Sequence, residues 1–392
     1  MPIRFLTAGE SHGPGLVTIL EGLPAGLPMS AASFQEDLLR RQRGYGAGPR
    51  MKIEQDRVKI LGGVMAGKTT GAPLACVIEN KDHRNWRGRA VPPFTTPRPG
   101  HADLSAGIKY GYDDLRISLE RASARETAAR VAAGAACKLL LAQFGIRVGG
   151  YVAAIGPVAA DLDEMPLEER ISRAGENDVN CPDPKAAERM QAHIRHIMEN
   201  RDTAGGVLEI LALGLPPGLG SHTQWDRRLS ARLGAAVLSV QAIKGLEIGP
   251  AFENTRLQGT QVHDAIRLDG DQVVRHGGRS GGLEGGITNG SPLMLRAAMK
   301  PIATTLTPQE TVDLATGKEV PTEYERSDFC PVPRAVVIVE AMVAYVLADA
   351  LLEKLGGDSI DEMRPRYHAL RRARLPDLEM RNQEQIFWPD EE

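Results

Sequence analysis

The chain has few cysteines, few aromatic side chains and no long uninterrupted apolar run, and these scarcities exclude several classes of protein. Its four cysteines among 392 residues are far apart and form no CxxC pair, which argues against a zinc ribbon and a disulfide scaffold. The most apolar stretch, residues 335–352, contains Glu340 and Asp349, so no membrane span is expected. No basic-then-apolar leader opens the sequence, and a reduced, cytoplasmic protein is therefore predicted.

Lysine is also scarce, and neither sign of charge dominates. The formal net charge is −3 from 47 basic and 50 acidic residues, and 42 % of positions are apolar, as in a globular chain. Arginine supplies 36 of the basic residues and lysine 11. Because the arginine fork grips carboxylates and phosphates in two places, this balance favours a small anionic ligand over a nucleic acid. A genome rich in G and C is the alternative explanation for part of the bias.

Apolar spacing predicts two long helices, one in each half of the chain. They cover residues 123–144 and 333–355, and each follows a glycine-rich segment and a basic motif. We therefore expect an internal pseudo-repeat. Residues 1–365 are expected to form a single catalytic domain, and residues 366–392 a charged C-terminal tail that lies on the surface or on a neighbouring subunit.

Residues 62–69 match the nucleotide-binding pattern G-x-x-x-x-G-K-[ST] letter for letter. That loop cradles phosphate only where a strand turns directly into a helix. Here residues 70–78 form a turn and then a strand-like run, so the context predicts a hairpin. A P-loop phosphotransferase stays as an alternative, and loss of ATP hydrolysis in Lys68→Ala would support it.

Two histidines are flanked by glycines. His12 lies in Gly-Glu-Ser-His-Gly at residues 9–13, and His101 in Arg-Pro-Gly-His-Ala-Asp at residues 98–103. Imidazole titrates near neutral pH and can donate or accept a proton, which makes both candidates for acid–base catalysis. The alternative is an exposed turn histidine. The other seven histidines lack such surroundings, and no metal site is predicted.

Three further segments favour anion binding. Residues 121–127 hold two arginines at the start of the first long helix, where free amides and the positive end of the helix dipole favour an anion. The alternative is pairing of the arginines with Glu120 and Glu126. Residues 277–290 include seven glycines, which allow the backbone to approach a flat or phosphorylated ligand. Asp328, after Arg326, is either a plain ion-pair partner or a base near a ligand.

Five segments in this order resemble the chorismate synthase family: residues 9–13, 98–103, 121–128, the glycine-rich run to Lys300-Pro301, and 326–328. The resemblance spans about residues 3–355 and is weakest over residues 161–200. It implies an α+β fold, a β-α-β sandwich with helices layered between antiparallel sheets, assembled as a homotetramer. It also implies anti 1,4-elimination of phosphate from 5-enolpyruvylshikimate 3-phosphate to give chorismate in the shikimate pathway. Reduced FMN is required, with NADPH as a candidate reductant.

By matching positions, the resemblance also implies residue roles. His12 resembles the acid near the leaving phosphate, His101 the residue that protonates reduced flavin near N1, and Asp328 the carboxylate that helps flavin N5 accept the substrate proton. Ser11 and Ser123 supply supporting hydrogen bonds. The substrate-binding positions are Arg41, Arg50, Arg98, Ala124, Arg125 and Arg326. The FMN-binding positions are Arg121, Ala122, Ser123, Gln241, Ala242, Gly285, Lys300, Pro301, Ile302, Ala303, Thr304 and Arg326.

NADP would contact Arg41 and position 47. The chain departs from the family pattern there, because Ala47 stands where arginine is usual. The departure concerns one contact to an anion or a nucleotide. The remaining alternative is a non-enzymatic, arginine-rich nucleic-acid-binding protein, which the balanced charge and the seventeen scattered aromatic residues disfavour.

Overall fold

The computed structural model describes residues 2–48, 53–325 and 327–388, so Arg50 and Arg326 lie outside the described residues. The strands are β1 Arg4–Ala8, β2 Gly15–Glu21, β3 Val58–Gly62, β4 Val64–Met65, β5 Lys68–Thr69, β6 Leu74–Glu79, β7 Arg147–Ile155, β8 Val158–Ala159, β9 Gly206–Leu213, β10 Ile243–Ile248, β11 Ala265–Asp269, β12 Gln272–His276, β13 Leu283–Glu284, β14 Ile287–Thr288, β15 Leu293–Met299, β16 Glu310–Asp313 and β17 Lys318–Pro321. The helices are α1 Gln35–Gln42, α2 Asp103–Tyr110, α3 Arg116–Ala122, α4 Thr127–Ala142, α5 Leu167–Ala174, α6 Pro184–Glu199, α7 Leu229–Leu238, α8 Ala251–Asn254, α9 Gly259–Val262, α10 Val332–Leu355 and α11 Ile360–His368. The expected α+β class is confirmed.

Two antiparallel sheets carry the larger strands. The first has the order β1-β2-β6-β3 and the second β10-β15-β9-β7-β8. In β2 the side chains of Leu16 and Leu20 are buried while Ile19 between them is exposed, the alternation of a sheet with one covered face. The central strands β7 and β9 are buried on both faces, because α10 covers one face and α5 packs on β7. Their continuous apolar sequences follow from that burial.

The core contains the two long helices that the sequence predicted. Helix α4 packs on α10, and it also contacts β1, β2 and β6 of the first sheet, whereas α10 contacts β7 and β9 of the second. At the crossing, a Cβ atom on Gly134 would lie 2.2 Å from Cβ of Ala341, so only glycine permits this approach. Helix α10 is long and apolar enough to cross a membrane by length and composition alone, but 89 % of its apolar window is buried inside the protein.

Residues 62–69 form a hairpin, as the sequence context predicted. Strand β4 pairs with β5, and the turn residues Ala66 and Gly67 have φ values of 49° and 76°. Positive φ at both central residues is typical of the tight hairpin turn. The strand-to-helix turn of a phosphate cradle is therefore not formed by these residues. The four cysteines are free and buried, in keeping with their scattered spacing.

Residues 161–200 hold α5 and α6. The sequence did not predict α2 and α3, which lie between His101 and the first long helix. Helix α11 continues to His368, past the expected tail boundary, because Ile360 and Met363 are buried. Beyond it, the backbone N–H of Leu375 donates to the carbonyl of Asp271, so this part of the tail is held against the β11–β12 hairpin.

A buried carboxylate joins the three helices of the core. Glu340 of α10 is 0 % exposed, and its oxygens accept hydrogen bonds from Arg40 of α1 at 2.6 and 2.7 Å and from Lys138 of α4 at 2.6 Å. Asp37 adds a second carboxylate 2.9 Å from the Lys138 Nζ. Burial alone raises the pKa of Glu340, but the charges and hydrogen bonds of Arg40 and Lys138 outweigh it and lower the pKa to about 2.

We expect Glu340→Gln to lower the free energy of unfolding by about 3–5 kcal/mol, because it leaves Arg40 and Lys138 without their buried counter-charge. The pKa of Glu340 is depressed in the folded chain, so its stabilisation is complete above the ordinary value of 4.5 and is lost as the pH falls toward about 2. Urea unfolding at a series of pH values should show the difference between wild type and variant shrink across that window.

The matched control is Glu353→Gln on the same helix. Glu353 is 45 % exposed and pairs with Arg227 and Arg232, so its loss should cost less than about 1 kcal/mol. Equal losses in the two variants, or a difference for Glu340→Gln that does not change with pH, would contradict this account of the core.

Candidate active site

His12 lies in the loop between β1 and β2. Its Nδ1 is 2.6 Å from Oε1 of Glu120, and its backbone N–H donates to Oε2 of the same carboxylate at 2.7 Å. Its ring stacks on Trp86 with 4.2 Å between centroids, and its Nε2 is 4.0 Å from Asp82. Glu120, which the sequence suggested as an arginine partner, thus holds the imidazole from its Nδ1 side and leaves Nε2 on the side of Asp82.

Two serines dock the His12 loop onto the start of α4. The Ser11 hydroxyl donates to the Ser123 hydroxyl at 3.0 Å, and the Ser11 backbone N–H donates to the carbonyl of Glu120 at 3.2 Å. Ser123 caps the short turn before α4, where its Oγ accepts the N–H of Arg125 at 3.3 Å. His12, expected to act near the leaving phosphate, therefore lies together with Ser11 and Ser123, which were expected to supply supporting hydrogen bonds.

Asp56 bridges two of the arginines expected to bind substrate. It accepts from Arg41 at 3.0 Å and also from Arg125, whose Nε donates to Asn80 at 2.8 Å. Arg41 also donates to the carbonyl of Ala124 at 2.9 Å. Both guanidinium groups are nearly inaccessible, and burial lowers the pKa of Arg41 to about 10 although Asp56 opposes the shift. These arginines are held by protein acceptors from several sides.

Asp328 lies where the loop at residues 44–48 meets the start of α10. Its Oδ2 is 2.9 Å from Nη1 of Arg334, and its Oδ1 accepts the backbone N–H of Gly48 at 2.7 Å. A Cβ atom on Gly48 would lie 2.4 Å from the carbonyl oxygen of Ser327, so this contact requires glycine. Ala47 belongs to the same loop.

His101 is held by a second carboxylate. Asp103 is fully buried, lies 2.6 Å from Nδ1 of His101, and accepts from Nε and Nη2 of Arg98 at 2.8 and 3.0 Å. Burial alone raises the pKa of Asp103, but hydrogen bonds from His101 and Arg98 and their charges hold it well below its usual range. An ionised Asp103 therefore orients both the imidazole and the guanidinium.

The segment at residues 300–304 lies against this histidine loop. Nη1 of Arg98 donates to the Thr304 hydroxyl at 3.3 Å, and a Cβ atom on Gly100 would lie 3.6 Å from Nζ of Lys300. The Lys300 backbone N–H donates to the carbonyl of Ala242 at 2.9 Å. Burial and the charge of Lys244 both lower the pKa of Lys300, and the negative charge of a bound anion would oppose both effects. Pro301, Ile302 and Ala303 complete the segment.

Other residues expected to bind FMN gather around Glu126. Gln241 donates to that carboxylate at 3.4 Å, and Arg121, the residue before Ala122, has Nη2 3.9 Å from it. Oε1 of Gln241 is buried and has no hydrogen-bond partner among the described residues. Gly285 lies elsewhere, in the β13–β14 turn beside α7.

A row of aromatic rings and guanidinium groups joins the two histidine clusters. The Arg116 guanidinium lies 5.7 Å from the Trp86 ring centre and 5.9 Å from that of Phe94, and Arg98 lies 5.7 Å from Phe94 on the His101 side. No sequence signal pointed to Trp86, Phe94, Asp56 or Arg334. Asp103 had one, because it closes the motif around His101.

Within the described ranges, no group of three or more His, Cys, Asp and Glu side chains could hold a metal ion. The site consists instead of two imidazoles, each fixed at Nδ1 by a carboxylate, among buried arginines and a lysine. Such a set suits proton transfer to and from an anionic substrate. The fold and the site thus define an α+β enzyme of acid–base chemistry on an anion.

Comparison with known proteins identifies the family. The sequence profile of chorismate synthase matches residues 3–352. A chorismate synthase of Aquifex aeolicus is 51 % identical over 93 % of this chain and 96 % of its own length, and one of Symbiobacterium thermophilum is 52 % identical over 92 % and 96 %. A crystal structure of chorismate synthase superposes with a TM-score of 0.78 at 44 % identity, covering 94 % of this chain and 97 % of that one. The chain belongs to the chorismate synthase family, carbon–oxygen lyases of the shikimate pathway.

We expect Arg125→Ala to lower the free energy of unfolding by about 3–5 kcal/mol, because Asp56 and Glu54 lose a buried counter-charge. Thermal or urea unfolding measures this loss without any ligand. The control is Arg130→Ala, which removes an ion pair with Glu126 from the same region of α4 and should cost about 1 kcal/mol or less. A loss for Arg125→Ala no larger than that of Arg130→Ala would show that the buried cluster is not structural.

Proposed function

We propose that this chain converts 5-enolpyruvylshikimate 3-phosphate to chorismate by anti 1,4-elimination of phosphate and requires reduced FMN, with NADPH as a candidate reductant. Membership of the chorismate synthase family supports the overall reaction. The observation that carries the proposal is the pair of histidines, each held at Nδ1 by a carboxylate and joined by the row at Trp86 and Phe94. Expulsion of phosphate needs an acid at the leaving group, and loss of a C–H hydrogen needs a path for the proton.

His12 is proposed as the acid for the leaving phosphate. Because Glu120 holds Nδ1, the proton for the leaving phosphate is proposed to come from Nε2, which lies 4.0 Å from Asp82. Ser11 and Ser123 keep the loop against the start of α4. Arg41, Arg98, Ala124 and Arg125, together with Arg50 and Arg326 outside the described residues, are the proposed substrate contacts.

The residues near Lys300 and Gln241 suit an anionic flavin. A bound anion would raise the lowered pKa of Lys300, and Gln241 has a buried oxygen without a partner in the described part of the chain. The FMN contacts proposed on this basis are Arg121, Ala122, Ser123, Gln241, Ala242, Lys300, Pro301, Ile302, Ala303, Thr304 and Arg326. Gly285, in the β13–β14 turn, is a further proposed FMN contact. NADP is proposed to meet Arg41 and the loop of Ala47.

Reduced FMN, when bound, supplies the electron-rich ring that this redox-neutral elimination needs. His101, oriented by Asp103, is proposed to hold a proton for flavin N1. One oxygen of Asp328 accepts the backbone N–H of Gly48 and the other pairs with Arg334. This carboxylate is proposed to help the substrate proton reach flavin N5. Each role uses a side chain whose orientation is fixed by a partner from another element.

We further propose the architecture and context that the family implies. The packing of α4 and α10 on two antiparallel sheets supports a β-α-β sandwich, and the glycine-rich segment and basic motif that precede each of these helices support an internal pseudo-repeat. Residues 1–365 would act as one catalytic domain, with residues 366–392 as a tail. A cytoplasmic homotetramer that uses neither nucleic acid nor membrane is the proposed assembly.

The two histidines can be separated by experiment. Under anaerobic conditions with dithionite-reduced FMN, His12→Ala and His101→Ala should each lose roughly 10²–10⁴-fold in turnover, the usual contribution of general acid–base catalysis. Only His101→Ala should change the pH titration of bound reduced-FMN absorbance, because His101 and not His12 is proposed to hold the proton for flavin N1. A parallel assay with NADPH alone decides whether the chain reduces its own flavin.

The control is His368→Ala, an exposed position at the end of α11, which should leave turnover and the flavin titration unchanged. Wild-type turnover in both test variants would remove the histidines from the mechanism. An equal change of the flavin titration in both variants would keep the enzyme and refute the division of roles. Absence of an FMN-dependent spectral change at micromolar concentrations would overturn the flavin proposal.

A further inference from the structure

Arg334 lies in the first turn of α10, the helix that carries Glu340 deeper in the core. Its side chain is 8 % exposed, and its Nη1 is 2.9 Å from Oδ2 of Asp328. Its other terminal nitrogen, Nη2, is buried and has no hydrogen-bond partner among residues 2–48, 53–325 and 327–388. A guanidinium can bind two oxygens through its two terminal nitrogens, but here Nη1 has a partner and Nη2 has none among the described residues.

This unused arm lies inside the proposed site and not at the protein surface. The Asp328 carboxylate that Arg334 holds also receives the N–H of Gly48. The start of α10 packs on the loop at residues 44–48, since a Cβ atom on Gly44 would lie 3.2 Å from Cβ of Pro333. Arg41 is near as well: after burial, the charges of Arg125 and Arg334 contribute to the lowered pKa of Arg41.

A buried N–H group without an acceptor is costly, and native structures rarely retain one without a reason. The other buried arginines of the cluster do not leave such an atom. Arg125 donates to Asn80 and Asp56, and Arg41 to Asp56 and Ala124. The first turn of α10 adds the positive end of a long helix dipole, which favours an anion beside it.

We propose that Arg334 is a further ligand-binding residue, whose Nη2 arm donates to an anionic oxygen of the substrate while its Nη1 arm keeps Asp328 in place. This inference rests on the proposed function, because the ligand is the phosphorylated dicarboxylate of that reaction. Phosphate and carboxylate oxygens offer the same acceptor chemistry to a guanidinium. The two products of the reaction distinguish a phosphate contact from a carboxylate contact, because inorganic phosphate has no carboxylate and chorismate has no phosphate.

Calorimetric titration of the purified full chain with inorganic phosphate and, separately, with chorismate tests the inference without turnover. Arg334→Met should weaken at least one of the two by about 10- to 100-fold, the range expected for a lost hydrogen bond to a charged group. Weaker phosphate binding assigns the arm to the leaving group, and weaker chorismate binding assigns it to a carboxylate. Unchanged affinity for both in a folded variant would overturn the inference.

An ion pair that only holds Asp328 must be told apart from a ligand contact. In the Asp328→Asn background, which has no carboxylate to orient, adding Arg334→Met should still weaken binding by the same factor. If Arg334 acts only through Asp328, the double variant will bind like Asp328→Asn alone, and the inference fails. The double variant also avoids an unpaired buried carboxylate, so it stays informative if Arg334→Met does not fold.

Two more variants complete the design. Arg334→Lys keeps a charge for Asp328 but loses the fork, so its affinity should lie between those of wild type and Arg334→Met. Arg232→Met removes an arginine that pairs with Asp349 near the other end of α10 and should leave both affinities unchanged. If wild type binds neither phosphate nor chorismate, the proposed function itself fails. If wild type binds and Arg334→Met binds equally well, only this inference fails.

Discussion

The close packing of α4 on α10 is the constraint on which the site depends. Gly134 admits Ala341 into contact, and Glu340 ties both helices to α1 through Lys138 and Arg40. With the helices fixed, the end of α1 and the starts of α4 and α10 meet in one region, because Arg41 in the last turn of α1 reaches the carbonyl of Ala124 before α4 and lies near the Asp328–Arg334 pair at the start of α10. The arginines and the carboxylates of the proposed site are therefore arranged by the core itself.

Buried charges of opposite sign give this region its rigidity. Three carboxylates each fix functional groups of the site. Asp56 lies between Arg41 and Arg125, Asp103 between Arg98 and His101, and Glu120 against His12. Desolvation makes each of these charges dependent on its partner, so removal of one partner is costly while the intact pair holds a defined geometry. A site preorganised in this way needs little rearrangement around an anionic ligand.

Glycine lets two loops of the site come close to the side chains that they contact. Gly48 lets the loop at residues 44–48 donate a backbone N–H to Asp328, and Gly100, with a φ of 74°, brings the His101 loop beside Lys300. The densest glycine run, at residues 277–290, places Gly285 in the β13–β14 turn, and β14 contacts α7.

The sequence by itself determined the two core helices, the hairpin at residues 62–69 and the motifs that carry His12, His101, Ser123 and Lys300, because periodicity, turn chemistry and short motifs are local properties. Apart from Asp103, which belongs to the motif around His101, it could not determine the partners of the site residues. Glu120 is 108 positions from His12, Asn80 is 45 from Arg125 and Thr304 is 206 from Arg98. Only tertiary structure decided these pairs, since they form when the packing of α4, α10 and the sheets brings distant segments together and buries their charges.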